Sequence, residues 1–291
     1  MYLGVIGGSG FYEIEKLKIK DEKQVWTPFG KPSSPLYFGQ LNGLELVFLA
    51  RHGQGHVVPP HQLNYRANIW ALKSVGVTHI MSVSAVGSLE ENIPPGDMVL
   101  IDQFIDATRK RDLTFYDDLA VHVSLADPIC MDLANLTAQA AKTLEVNVHQ
   151  GGTYVCIDGP QFSTRAESVM FKNGGASVIG MTNATEARLA REAELHFCTL
   201  AMVTDFDCWL EEEENVSVAA VVKTMEQNSK NAAAILTNLC TRISQNQLTP
   251  SCTLCSNSLD HAVMTSFQTL SKNHKEKYQL LLKNYPGFDD E

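Results

Sequence analysis

What the chain lacks narrows its class before any motif is weighed. No apolar run approaches the eighteen or so residues that cross a bilayer, which argues against an integral membrane protein. Basic residues are the minority: 23 Lys and Arg stand against 33 Asp and Glu, a formal net charge of −10. A nucleic-acid backbone or an anionic membrane is therefore not the expected partner, although a small phosphate needs only a local cluster of donors. The first residues enter a strand without the charged and apolar blocks of a signal peptide, so a cytoplasmic protein is expected. Five of the seven cysteines, at 130, 156, 198, 208 and 240, lie inside apolar segments and read as buried thiols. Only Cys252 and Cys255 are spaced Cys-x-x-Cys. No second pair follows, and His261 and His274 fit no usual zinc spacing; two surface thiols are expected, with a redox clip as the alternative. The loop Gly7-Gly8-Ser9-Gly10 has Glu13 where a dinucleotide fingerprint needs its third glycine, and no Gly-Lys-Ser/Thr follows it as in a P-loop.

What is present is a core and an alternating pattern. Hydrophobic residues make up 44% of the 291, enough to bury a full interior. Strands are expected at 2–6, 36–40, 44–50, 78–84, 97–102, 151–158, 176–181 and 195–204. Helices are expected from Pro59-Pro60 for about sixteen residues, from Asp127-Pro128 to about Leu144, and from the capping box Thr164 to Glu167 up to Gly174-Gly175. Further helices are expected from Asn183, capped with Glu186, to about Glu194, and from Ser217 to Ile243. Residues 103–118, with Arg109, Lys110 and Arg111, read as a long irregular excursion of the kind that contacts ligands or neighbouring subunits. Polar residues 244–259 lead to a last helical region. No linker divides this pattern, which predicts a single α/β domain over 1–291 with a mixed, largely parallel central sheet flanked by helices.

The stretch Leu195 to Trp209 organises the rest. An apolar, β-branched run ends in Asp205 and Asp207, which face the same way on an extended chain. Ligands of open α/β sheets sit at the carboxyl ends of the strands. Two crowded acids shift each other's titration, so Asp205 with a raised pKa would suit a purine edge carrying an amino group and a ring nitrogen. Other strand ends supply Ser9, Arg51 with His52, the small-residue loop Ser84-Ala85, and Met181-Thr182. Hydroxyls and a guanidinium suit phosphate; the acids and Phe162 suit a purine. His52, His56 and His61 look like a metal cluster, but Gly53, Gly55, Pro59 and Pro60 forbid the helix that would align them, so no metal is expected. Asp-x-Asp is also a motif of metal-dependent nucleotide-using glycosyltransferases, the competing enzyme class; a non-catalytic purine-binding protein is the other alternative.

Taken together and in order, the segments Gly4 to Gly10, Thr27 to Pro32, Leu49 to Gly53, Asn64 to Lys73, Gly96 to Asp106, Gly159 to Ser168, Met181-Thr182 and Val203 to Trp209 resemble the methylthioadenosine phosphorylases of the trimeric purine nucleoside phosphorylase family. The match extends to about Val222 and is loose over 249–291. The resemblance implies phosphorolysis of 5′-methylthioadenosine to adenine and 5-methylthioribose 1-phosphate, with adenosine or methylthioinosine as sister specificities. It implies a homotrimer, no cofactor, and inorganic phosphate as co-substrate. Ser9, Arg51, His52, Ser84, Ala85 and Thr182 would hold phosphate, Met181 would pack on the ribose and Phe162 on the base. Asp205 would bond the purine, supported by Asp207, while Ser163 and Val218 would tune specificity and His122 would reach a neighbour's site. Thr185 and Asp158 depart from the family's usual Pro and Glu.

Overall fold

The computed structural model describes residues 2–8, 18–210 and 218–288, with side chains from 222 onward in the last segment. Eleven strands form one sheet: β1 (Leu3–Gly7), β2 (Lys18–Lys23), β3 (Leu36–Leu41), β4 (Leu44–Ala50), β5 (His79–Ser88), β6 (Met98–Leu100), β7 (Gln103–Asp106), β8 (Val148–Gln150), β9 (Thr153–Cys156), β10 (Val178–Gly180) and β11 (His196–Phe206). Among the described residues six α-helices flank it: α1 (Tyr65–Ser74), α2 (Met131–Ala141), α3 (Arg165–Asn173), α4 (Asn183–Glu192), α5 (Val218–Ser244) and α6 (Lys272–Leu282). The expected mixed, mostly parallel sheet is what the chain forms.

β5 and β11 are its spine. They pair in parallel from His196 opposite His79 to Phe206 opposite Ser88, and the first nine residues of β11 are buried, as a strand covered on both faces must be. On its other edge β5 pairs in parallel with β1 only from His79 to Ser82. It then meets β10 in antiparallel fashion at Gly87 and Ser88. Between those contacts the sheet parts. From β1 it continues through β4, β3 and β2, and from β10 through β9 and β7, while β6 and β8 extend it beyond β11. α2, α4 and α5 pack against β11. Ala232, Ile235, Leu236, Leu239 and Cys240 form the buried stripe of α5, at the spacing a helix facing a core requires.

Several expected boundaries move for identifiable reasons. The helix expected from Pro60 begins at Tyr65, because the Asn64 side chain accepts the Ala67 N–H and Pro60–Gln62 is only a 3-10 turn. The small-residue stretch Ser84 to Ser88 is not a loop but the second half of β5, held by β11. The excursion after Gln103 opens with a strand, β7, paired to β9. The helix expected from Asp127 to Leu144 is shorter, α2. The Thr164 capping box forms as expected. Asn183 and Glu186, expected to cap α4, do something else: Asn183 donates to Thr199 Oγ1, and Glu186 turns inward. Ser217 lies outside the described residues.

Candidate active site

The acid pair sits where β11 departs from regular pairing. Val203 lies opposite Val86 and Asp205 opposite Gly87, so Thr204 is an extra residue bulged out of the ladder. Bulges of this kind re-aim side chains beside functional sites. The Thr204 hydroxyl donates to Asp205 Oδ2 at 2.6 Å. Gly87 lies under both acids, since a methyl group there would come within 3.2 Å of Asp205 Oδ1 and 3.3 Å of Asp207 Cβ. The two carboxylates therefore share one side of the strand end, as their spacing predicts. Ser163 Oγ donates to Asp207 Oδ2 at 2.7 Å, tying the loop before α3 to the pair. Trp209 closes the corner: its indole N–H donates to Ser88 O, with Lys172 Nζ 3.5 Å above the ring.

The anion side lies where the sheet parts. Arg51 follows β4, is only 2% exposed, and is no solvated surface arginine. Its Nε donates to Glu186 Oε1 at 2.6 Å, its Nη2 to Ser82 Oγ at 2.7 Å and to Glu186 Oε2, and its Nη1 to Val83 O at 2.9 Å. The guanidinium thus holds the edge of β5 that β1 has left. A buried pair of this kind is tolerated because every partner is charged or hydrogen-bonded. The Arg51 Nη2 also reaches Ile6 O at 3.4 Å. His52 donates or accepts at Nδ1 with the Val58 carbonyl at 2.8 Å. A carbonyl can only accept, so Nδ1 carries the proton and Nε2 presents a lone pair. Burial and the neighbouring Arg51 lower its pKa to about 4. At neutral pH the free nitrogen of His52 is therefore an acceptor for a hydroxyl.

Three buried hydroxyls gather beside this arginine. Ser84 and Thr182 face the phenol of Tyr154, whose pKa burial raises to about 12 against the partial relief these neighbours give. None of the three oxygens makes a well-formed hydrogen bond among the described residues. Each unsatisfied group costs about 1–3 kcal/mol, so a cluster of three marks a place made for a polar guest. Gly180 makes room for it, since a methyl group there would collide with the Tyr154 hydroxyl. Tyr154 and Glu186 carry no local signal in the sequence, because they belong to a strand interior and a helix and only the fold turns them inward.

The remaining residues fall as follows. Met181 lies against the Gly159 backbone, and its carbonyl accepts from Arg111 Nη2 at 2.7 Å. Phe162, 84% exposed, leaves a bare aromatic face. Ala85 sits in β5 next to Ser84. Arg111, in the excursion expected to contact ligands or neighbouring subunits, has a buried side chain that donates to the Ile157 and Asp158 carbonyls and to Thr185 Oγ1. Both residues that depart from the family pattern, Thr185 and Asp158, are thus partners of one arginine, whose Nε also stands 3.5 Å from Asp158 Oδ1. His122 is not at this site: it lines a separate cleft with Tyr116, Arg188 and Glu192. Ser9 lies outside the described residues, as does the side chain of Val218. Among the described residues, the group able to hold a metal ion is elsewhere, at the opposite end of β11.

Known proteins are similar to this chain in sequence and fold. Residues 2–241 match the model of the Phosphorylase superfamily. An S-methyl-5′-thioadenosine phosphorylase of Prochlorococcus marinus is 50% identical over 98% of this chain and 91% of its own length. A crystal structure of a methylthioadenosine phosphorylase from an antarctic soil metagenomic library superposes with a TM-score of 0.90 at 44% identity, covering 96% of this chain and 98% of that one. A mutant adenosine/methylthioadenosine phosphorylase of Schistosoma mansoni, solved in complex with methylthioadenosine, gives 0.78 at 38% identity over 84% of this chain and 92% of that one. The chain belongs to the phosphorylase superfamily and, within it, to the family of the methylthioadenosine phosphorylases.

Proposed function

We infer that the protein cleaves 5′-methylthioadenosine with inorganic phosphate, releasing adenine and 5-methylthioribose 1-phosphate. The observation that carries this reading is the pairing of two unlike subsites along β5: an acid pair over Gly87, and unsatisfied hydroxyls with a buried arginine beside Ser84. In this reaction the bond from the sugar C1′ to the purine nitrogen breaks and a phosphate oxygen bonds C1′. The electron pair leaves with the purine, which takes up a proton. Asp205 supplies that proton, or a strong hydrogen bond, at the ring nitrogen, and its other oxygen accepts from the 6-amino group. Asp207, fixed by Ser163, supports it. Ser84, Thr182, Ala85 and Arg51 hold phosphate, with His52 accepting from its protonated oxygen, and Ser9 completes the set.

Phosphate is both nucleophile and counter-charge to the oxocarbenium-like sugar, so this reading needs neither metal nor cofactor. Phe162 stacks on the base and Met181 on the ribose. Ser163 and Val218 tune specificity. His122 serves the site of a neighbour in a homotrimer, which accounts for its distance from the acids of its own chain. The reading places a salvage reaction in the cytoplasm; among the described residues no helix is long and apolar enough to cross a membrane.

The test is adenine release from methylthioadenosine and from adenosine, each with and without phosphate. Release that requires phosphate and favours the methylthio substrate supports the reading. Phosphate-independent release, or binding without release, overturns it.

A further inference from the structure

The strand that carries the acid pair at its carboxyl end carries a second cluster at its first residue. Cys130, His196, Cys252 and Cys255 each bring one ligand atom to a common point, all within 4.8 Å of one another. Cys252 Sγ lies 3.7 Å from Cys255 Sγ, and Cys130 Sγ lies 3.4 Å from His196 Nδ1. A disulfide would require sulfurs about 2.05 Å apart. Tetrahedral zinc, with bonds of about 2.3 Å to sulfur and 2.0 Å to nitrogen, requires edges of about 3.8 Å between sulfurs and 3.5 Å between sulfur and nitrogen. The two observed separations match those edges.

The surroundings hold the four ligands in advance of any ion. Cys130 immediately precedes α2, and its N–H donates to Phe197 O at 2.8 Å, so the start of the helix is laced to β11 one residue beyond His196. The Asp132 carboxylate accepts from Ser251 N, Ser251 Oγ and Cys252 N, which pins the C-terminal segment beside the same helix. The His196 ring stacks on His79 at 4.2 Å with the planes 11° apart. Cys130, His196 and Cys255 are buried and Cys252 is half-buried. A purely packed interior would place methyl groups here; three sulfurs and an imidazole nitrogen turned toward one point make only weak hydrogen bonds to one another.

We propose that Cys130, His196, Cys252 and Cys255 form a structural zinc site. Thiolates with one imidazole select zinc over magnesium or calcium. Four protein ligands leave no open position for water or substrate, which makes the site structural and not catalytic. It also lies about 30 Å along β11 from Asp205, nine residues at about 3.3 Å each. Its role is to fasten the segment after α5 to the sheet at the point where the spine begins.

The test uses the untagged full-length protein, purified under reductant from zinc-supplemented cells and analysed for metals by plasma mass spectrometry. About one zinc per chain is expected, as for a closed four-ligand site, together with an intense visible spectrum of tetrahedral thiolate coordination when cobalt replaces zinc. The Cys252→Ser, Cys255→Ser double variant should retain less than about a tenth of that zinc. Should this variant fail to fold, the metal content and cobalt spectrum of the unsubstituted protein decide alone. Metal-free protein, iron in place of zinc, zinc that survives the double substitution, or a mass deficit of one hydrogen pair marking a disulfide would each overturn the assignment.

Discussion

At the scale of single residues, the division between what was legible and what was not follows the chemistry. Asp205 and Asp207 stand out because two acids face one way at the end of an apolar strand, where turn residues closing the strand are the alternative reading. Accordingly Asp205→Asn should lower kcat/KM for methylthioadenosine by about 10² to 10³, some 3–4 kcal/mol of transition-state stabilisation. Steady-state adenine release measures it, and near-normal turnover would refute the role. Tyr154 gave no such notice, since a tyrosine inside a strand is usually core. Its hydroxyl is buried beside Ser84 and Thr182 with no well-formed hydrogen bond among the described residues, so Tyr154→Phe has two opposite consequences. Thermal unfolding without phosphate should show a gain of up to about 1 kcal/mol, from losing an unsatisfied group. The KM for phosphate should rise about tenfold, one hydrogen bond to an anion. A variant that is less stable and binds phosphate normally would show that the hydroxyl is not waiting for a ligand.

At the scale of elements, the sequence yielded types more readily than extents. Apolar composition located β4 and β11, cap-type residues located α4 and α5, and the Thr164 capping box set the start of α3. Composition misjudged β5, because Ser84-Ala85-Val86-Gly87-Ser88 has the makeup of a loop and becomes strand only through pairing with β11. Likewise Glu186 has the position of a helix cap, but a buried guanidinium competes for it more strongly than a backbone N–H can. The bulge at Thr204 is equally invisible locally, since a register shift is a property of two strands. Gly87 tests this level of organisation. A side chain there meets Asp205 Oδ1 and Ile179 Cγ2 at 3.2 Å. Gly87→Ala should therefore cost about 1–2 kcal/mol of stability and displace the acids, lowering kcat/KM about tenfold while leaving the KM for phosphate nearly unchanged. Equal losses at both subsites would indicate a general collapse of the sheet instead.

At the scale of the molecule, the single α/β architecture was readable from alternation, whereas convergence of distant residues was not. The cysteine pair shows why. Cys252 and Cys255 look like surface thiols while their partners, Cys130 and His196, are more than fifty residues away in sequence; Cys255 is in fact buried. Burial also gives the whole molecule an acid sensitivity. The folded pKa of His52 is about 4, below its ordinary 6.5, so between those values the unfolded chain binds the extra proton. Stability then rises with pH through this window and is lost as pH falls from 6.5 toward 4, by about 2 kcal/mol after allowing for partial exposure. His52→Asn should flatten the fall of melting temperature over that range; an unchanged slope would mean the ring is protonated in the folded state.

The parting of β1 from β10 along β5 has a consequence for how the molecule bears load. Two half-sheets hang from a common beam, and side chains rivet them together, among them Arg51 on Val83 O and on Glu186, and Tyr65 on Met181 O. An oxyanion seated there would act as a further rivet, joining flanks that part along β5. Occupancy of that slot would then stiffen the entire scaffold, and the departure of the sugar phosphate would loosen it again.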